Sequence, residues 1–141
     1  MKTFSATTTI AATPDTIWAI LTDAASYPAW DPNAERIEGR IASGETITAY
    51  TKLSPGRAFP VKVTEFVPGH KMVWASGLPL GLFTGERSFS LNPQPGGATE
   101  FTVREEFRGP LLALIGRSIP DMEIPFQQFA EGLKRRAENA G

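Results

Sequence analysis

The stretch Ile10–Pro32, IAATPDTIWAILTDAASYPAWDP, decides the fold reading, because a strand end, a punctuated helix and an aromatic turn follow one another within it. Thr13 is placed to cap the amide donors of a helix whose first residue is Pro14, where proline gives up no hydrogen bond. Asp15 then stands at the positive end of that helix. Ile17, Ile20, Leu21 and Ala24 recur at helical spacing and make one apolar face. Tyr27, Pro28, Trp30 and Pro32 form a second short, rigid element.

On the N-terminal side, Phe4, Ala6, Thr8 and Ile10 alternate with small polar residues, the pattern of a strand with one buried face. On the C-terminal side, strand-like segments are each closed by turn chemistry. Arg36–Ile41 ends before Ser43 and Gly44, Glu45–Leu53 before Ser54, Pro55 and Gly56, and Phe59–Val67 before Pro68 and Gly69. Lys71–Ser76, Phe83–Leu91 and Thr99–Phe107 continue the series, which predicts a seven-stranded antiparallel meander. From Pro110 the period becomes helical: Leu111, Leu114, Ile115 and Ser118, then Phe126, Phe129, Ala130, Leu133 and Ala137. Pro120 and Pro125 are expected to interrupt this segment, dividing a short helix from a long one between about Ile119 and Pro125. Lys134, Arg135 and Arg136 read as cations offsetting the helix dipole near its C-terminus.

Composition bounds the function. The 141 residues, 41% hydrophobic and 21% charged, suit one domain spanning 1–141. With 14 basic and 15 acidic residues spread along the chain, there is no electrostatic footprint for nucleic acid. No apolar run reaches membrane-spanning length and the first residues lack a secretory signal, so a cytoplasmic location is expected. The absence of cysteine removes disulfides, thiol nucleophiles and thiolate metal sites together. The single histidine, His70, follows Pro68 and Gly69 and reads as an exposed turn residue. No metal, no cofactor and no catalytic residue is assigned.

Four pieces carry a family resemblance: the opening Ile10–Pro32 stretch, the strand HKMVWASG, the segment FTGERSFSLNPQPGGATEFTVREEFRGPL and the closing FQQFAEGLKRRAE. Their order and spacing resemble the helix-grip (SRPBCC) superfamily, which includes birch-pollen-allergen proteins, START domains and polyketide cyclase or dehydrase-like proteins. The resemblance implies an α+β fold in which a strongly bent seven-stranded antiparallel sheet wraps a long C-terminal helix, with two short helices after the first strand. It also implies an internal cavity between sheet and helix for a hydrophobic small molecule, such as a lipid or polyketide. The proline-broken C-terminal segment departs from the uninterrupted helix of the allergen branch. Fold alone does not choose among carriers, cyclases, dehydratases, aromatases and protein-interaction modules of the accessory or co-chaperone kind.

Strand parity narrows the candidate site. Arg87, Phe89 and Leu91 share one face of their strand, and Phe101, Val103, Glu105 and Phe107 share one face of the next. A register setting Phe89 opposite Val103 puts Arg87 opposite Glu105, although the long turn between the strands leaves the register open by about two residues. The pair then reads either as a structural ion pair or as the anchor for a polar group on an apolar ligand. The candidate cavity wall is Trp30, Ile47, Trp74, Phe83, Phe89, Phe101, Phe107, Phe126 and Phe129, together with Arg87 and Glu105. The nine phenylalanines and three tryptophans are also enough to fill a core completely. Tyr50 has the opposite parity to Ile47 and Ala49 and is expected to face outward. Gly77–Gly81, GLPLG, reads either as a lip over the cavity mouth or as a plain hairpin connection, and no conspicuous exposed apolar patch is expected. Binding or carriage of the hydrophobic molecule, by a monomer or weak homodimer, is the first reading. A cofactor-free cyclase or dehydratase using Glu105 as base is the second.

Overall fold

The computed structural model describes residues 1–140. Strand β1 (Lys2–Ile10) runs into helix α1 (Pro14–Leu21), a short helical turn (Ala24–Ser26) and helix α2 (Tyr27–Trp30). Strands β2 (Ala34–Glu38), β3 (Thr46–Thr51), β4 (Ala58–Val67), β5 (Lys71–Leu78), β6 (Phe83–Pro93) and β7 (Thr99–Arg108) follow. Helix α3 (Leu112–Ile115) and the long helix α4 (Glu123–Ala140) complete the chain. The seven strands form one antiparallel sheet in the order β1-β7-β6-β5-β4-β3-β2. This is the helix-grip architecture expected from the sequence.

Consecutive strands β1 and β2 occupy the two opposite edges of the sheet, so the Ile10–Pro32 stretch must travel from one edge to the other. It does so as the capped helix that the sequence describes. Thr13 accepts the Thr16 amide, Pro14 opens the helix, and Ile17 and Leu21 are fully buried. Tyr27 closes the corner: its hydroxyl donates to the Leu21 carbonyl at 2.6 Å, satisfying one of the free acceptors at the end of α1. The Trp30 indole N–H donates to Ser26 Oγ at 3.0 Å, and that hydroxyl donates in turn to the Asp23 carbonyl at 2.8 Å.

Helix α4 lies across the concave face with Phe126, Phe129, Ala130, Leu133 and Ala137 buried. Gly132 makes the closest approach. A Cβ there would lie far inside contact distance of the Trp30 carbonyl oxygen, so only glycine lets α4 settle on the end of α2. Two expectations about this helix are corrected. Pro120 lies in the break between helices, but Pro125 sits within the first turn of α4, where its missing amide costs no intrahelical bond, and Phe126 N–H donates to the Met122 carbonyl. Lys134–Arg136 also lie before the last turn, which holds no basic residue, and Lys134 instead donates from Nζ to the Thr9 carbonyl of β1 and to Glu138.

The strands match their expected positions with shifted ends. β2 begins at Ala34 and stops at Glu38, leaving Ile41 buried in the following loop, and β3 stops at Thr51 short of Leu53. β5 continues through Gly77 and Leu78, so the expected lip is in part the end of a strand. His70 is exposed in the turn between β4 and β5.

Candidate functional site

Cross-strand pairing arranges the concave face in rows. Phe66, Met72, Phe89, Val103 and Ala6 are successive partners across β4, β5, β6, β7 and β1. The next row is Val63, Trp74, Arg87, Glu105 and Phe4, and beyond it stand Ser76, Gly85, Phe107 and Lys2. Directly opposed residues of antiparallel strands share a face. The expected register of the β6–β7 hairpin is therefore the observed one, with Phe89 opposite Val103 and Arg87 opposite Glu105.

The two charges meet. Arg87 Nε and Nη2 both donate to Glu105 Oε1, at 2.9 and 2.7 Å. Glu105 is buried and the Arg87 side chain is 28% exposed. The guanidinium carbon lies 4.9 Å from the ring centroid of Phe126, so the first turn of α4 covers it. Glu105 Oε2 accepts no hydrogen bond among the described residues and lies 3.5 Å from where a Gly85 side chain would begin. The same position is 3.1 Å from the Phe107 ring. Glycine at 85 thus lets the Phe107 ring and the Glu105 carboxylate pack closely against the backbone of β6, where a side chain would meet the ring.

Trp74 stands next to Arg87 in the same row, and its buried indole N–H has no acceptor among the described residues. That contrasts with Trp30, whose indole is satisfied by Ser26. A buried donor without a partner carries the desolvation penalty with nothing to offset it.

A further acid caps the end of α2. The Asp31 carboxyl, at the end of α2, is pushed above the usual aspartate range by burial, against the opposing effects of the Asn33 amide and the charges of Arg87 and Lys52. Tyr27 is raised well above its ordinary value, first by burial and then by the charge of Asp31, while Arg87 pulls it down. The Arg87 charge therefore reaches across to α2. Sequence reading missed Asp31, although a carboxylate held between Trp30 and Pro32 in a rigid aromatic turn is a signal that could have found it.

The expected wall residues divide into two groups. Trp30, Ile47, Trp74, Phe89, Phe101 and Phe129 are buried and belong to one core cluster. Several of their rings touch one another: Trp30–Phe129 at 4.9 Å between centroids, Trp74–Phe89 at 4.8 Å and Phe89–Phe129 at 5.6 Å. Phe83 and Phe107 are half-buried, 5.8 Å apart, and with Arg87 they mark the more open end of the concave face, while Phe126 and Glu105 beside them are buried and Phe126 belongs to the core cluster. Tyr50 stacks under the exposed Arg36 at 3.7 Å, on the face away from Ile47, as parity predicts. Two surface depressions flank α4, of about 270 Å³ beside Trp30, Gln128 and Arg135, and about 420 Å³ beside Ser5, Thr7 and Gln127. Of the expected wall, only Trp30 lines either. Among the described residues no group of three or more His, Asp or Glu is placed to hold a metal.

A family model described as polyketide cyclase / dehydrase and lipid transport matches residues 1–138. The chain belongs to this family. A search of curated proteins finds no match. Solved structures agree on the fold. A START superfamily protein from Mycobacterium smegmatis superposes with a TM-score of 0.68 at 20% identity, covering 99% of each chain. An aromatase/cyclase from Streptomyces gives 0.70 at 14% identity over 98% of this chain and 94% of its own. Truncated norcoclaurine synthase from Thalictrum flavum gives 0.67 at 18% identity over 96% and 92%. These structures share the sheet and the gripping helix with this chain at 14–20% identity.

One expectation about the outer surface is corrected. Leu80 is 96% exposed at the tip of the β5–β6 connection, with Leu78, Leu82 and, on α3, Leu114 also exposed. Leu80 holds a left-handed backbone with φ of 62°, which a branched side chain rarely adopts. The Leu111 amide donates to the Leu82 carbonyl at 3.0 Å, tying this connection to the segment leading into α3.

Proposed function

We propose that the protein binds an apolar small molecule, lipid- or polyketide-like, at the open end of the concave face beneath the first turn of α4. The observation that carries this reading is the Arg87–Glu105 pair, which stands among apolar side chains with Arg87 28% exposed and Glu105 Oε2 accepting no hydrogen bond among the described residues. Pockets for apolar ligands use a few such polar anchors to orient a large apolar body. Phe83, Phe107 and Phe126 supply the apolar wall, and Trp74 and Phe89 form the floor. In this reading residues 1–141 act as one domain, in the cytoplasm, as a monomer or weak homodimer and without a cofactor or nucleic-acid partner.

Native mass spectrometry of the purified protein tests the reading. An organic adduct that disappears on denaturation is expected, and folded Arg87→Leu retains less of it. Equal retention by the variant contradicts the assignment of the anchor.

Catalysis is a second reading, favoured by the Asp31 carboxyl, which burial disposes to hold a proton at higher pH than usual. With Glu105 it would supply the two carboxyl groups that a cofactor-free cyclase or dehydratase needs for proton transfer. Turnover of the copurified molecule by the native protein and its loss in Asp31→Asn would favour this reading over simple carriage.

A further inference from the structure

Leu78, Leu80, Leu82, Leu114 and Ile124 are all exposed, and the fold brings them to one end of the molecule. Leu78 ends β5 and pairs with Phe83 at the start of β6, so the first three leucines belong to one tight connection. The Leu111 amide donates to the Leu82 carbonyl, which sets α3 and Leu114 beside that connection. α3 buries none of its own residues. Just past it, the Gly116 carbonyl accepts from Lys2 Nζ at the start of β1, at 3.3 Å. Ile124 stands in the first turn of α4, two residues before the Phe126 ring that covers Arg87.

This end is held in shape. Gly77 and Gly109 both have positive φ, and a Cβ on either would collide with the backbone of Leu82–Thr84. The connection is thus clamped from both sides. Within the clamp Leu80 keeps a left-handed backbone while its side chain is 96% exposed, so a strained residue directs an apolar group at solvent. Strain maintained at a fixed tip, together with a cluster of exposed apolar side chains, marks a contact surface.

The chemistry of the cluster favours one kind of partner. Its members are all aliphatic, whereas protein contacts centre on Trp, Tyr and Arg, and leucine is under-represented in them. Leucine and isoleucine enter the acyl region of a bilayer favourably, and a projecting tip needs no matching groove to do so. Charge narrows the partner further. The cations Lys2, Arg108 and Arg117 at this end are matched by the acids Glu86, Glu106, Asp121 and Glu123, which leaves no positive surplus for anionic headgroups. No helix among the described residues is long and apolar enough to cross a membrane. We propose that this end docks on the surface of a zwitterionic lipid bilayer by inserting Leu80 and the leucines around it. The docking goes beyond the ligand reading above and requires no cavity.

Cosedimentation of the intact protein with phosphatidylcholine vesicles, and separately with phosphatidylglycerol vesicles, tests the proposal. Saturable partition to phosphatidylcholine is expected, no weaker than to phosphatidylglycerol and changed less than about twofold by raising the salt. Leu80→Asn is expected to lower that partition about tenfold, the effect of losing one buried leucine. Its thermal midpoint is expected to stay or rise, because asparagine tolerates the left-handed backbone. Val67→Asn, at the opposite end of the sheet, is expected to leave partition unchanged. No partition to phosphatidylcholine, binding only to phosphatidylglycerol that salt abolishes, or equal partition by Leu80→Asn overturns the proposal. So does self-association that Leu80→Asn abolishes in a protein that ignores vesicles, which would make the tip a contact between copies. None of these failures touches the ligand reading, since the vesicles carry no added ligand.

Discussion

At the scale of single residues, Asp31 and Gly132 carry the sharpest consequences. The folded chain holds the Asp31 proton more tightly than an unfolded chain would, because burial raises its pKa above the ordinary 3.8. Between the unfolded and folded values the folded state binds more protons, so stability falls as pH rises through that window and levels off above it. Asp31→Asn removes the penalty while keeping an acceptor for the Asn33 amide. Its urea midpoint is expected to exceed that of the native chain at neutral pH and to match it below the ordinary aspartate pKa. A gain of the same size at every pH contradicts the assignment. Gly132→Ala is expected to lower stability by about 1–3 kcal/mol, the usual range for overpacking, measured by thermal unfolding, since the added methyl meets the Trp30 backbone. Neither residue was legible as a key position. The role of Gly132 depends on how closely two distant helices approach, and the shift at Asp31 depends on what covers it.

At the scale of elements, the β6–β7 hairpin and the start of α4 are the informative pieces. Alternation in both strands made the inward faces legible, and the two charges on those faces found each other because the register that pairs Phe89 with Val103 also pairs them. The long turn alone would not have chosen that register. Breaking the pair by Arg87→Met strands the buried Glu105 carboxylate and is expected to cost about 2–3 kcal/mol, below the range for fully buried pairs because Arg87 retains some exposure. Arg87→Met combined with Glu105→Leu is expected to cost less than the single change, as determined in a double-mutant cycle of urea unfolding. A double variant less stable than Arg87→Met would contradict the account of an unpaired buried charge. Pro125 is the opposite case, where a residue rule overstated an effect. Pro125→Ala is expected to change stability by less than about 0.5 kcal/mol, because the proline occupies a turn that uses no amide there.

At the scale of the whole molecule, the order of elements was the most legible property. The capped helix and aromatic turn between two strands, the run of short strands and the late change to helical period leave few architectures that bury every apolar face. The interior was less legible. Strand parity and helical spacing say which side chains point inward, but not whether they meet across the interior. Trp30, Trp74, Phe89, Phe101 and Phe129 do meet, and they build a packed core, the alternative to an open cavity wall that their number also allowed. The Arg87–Glu105 pair at the edge of that core, with Arg87 partly exposed beside the half-buried Phe83 and Phe107, is the place the proposed binding uses. The exposed leucines of the β5–β6 connection stand apart from this pair and are not needed for it.

The most direct test of the central claim is a titration of the intact protein with acetonaphthone, with every backbone amide followed by NMR. The account predicts saturable shifts concentrated at Trp74, Gly85, Arg87, Glu105, Phe107 and the first turn of α4. Shifts confined to the outer depressions beside Gln128 or Ser5, or none at saturating probe, would contradict it.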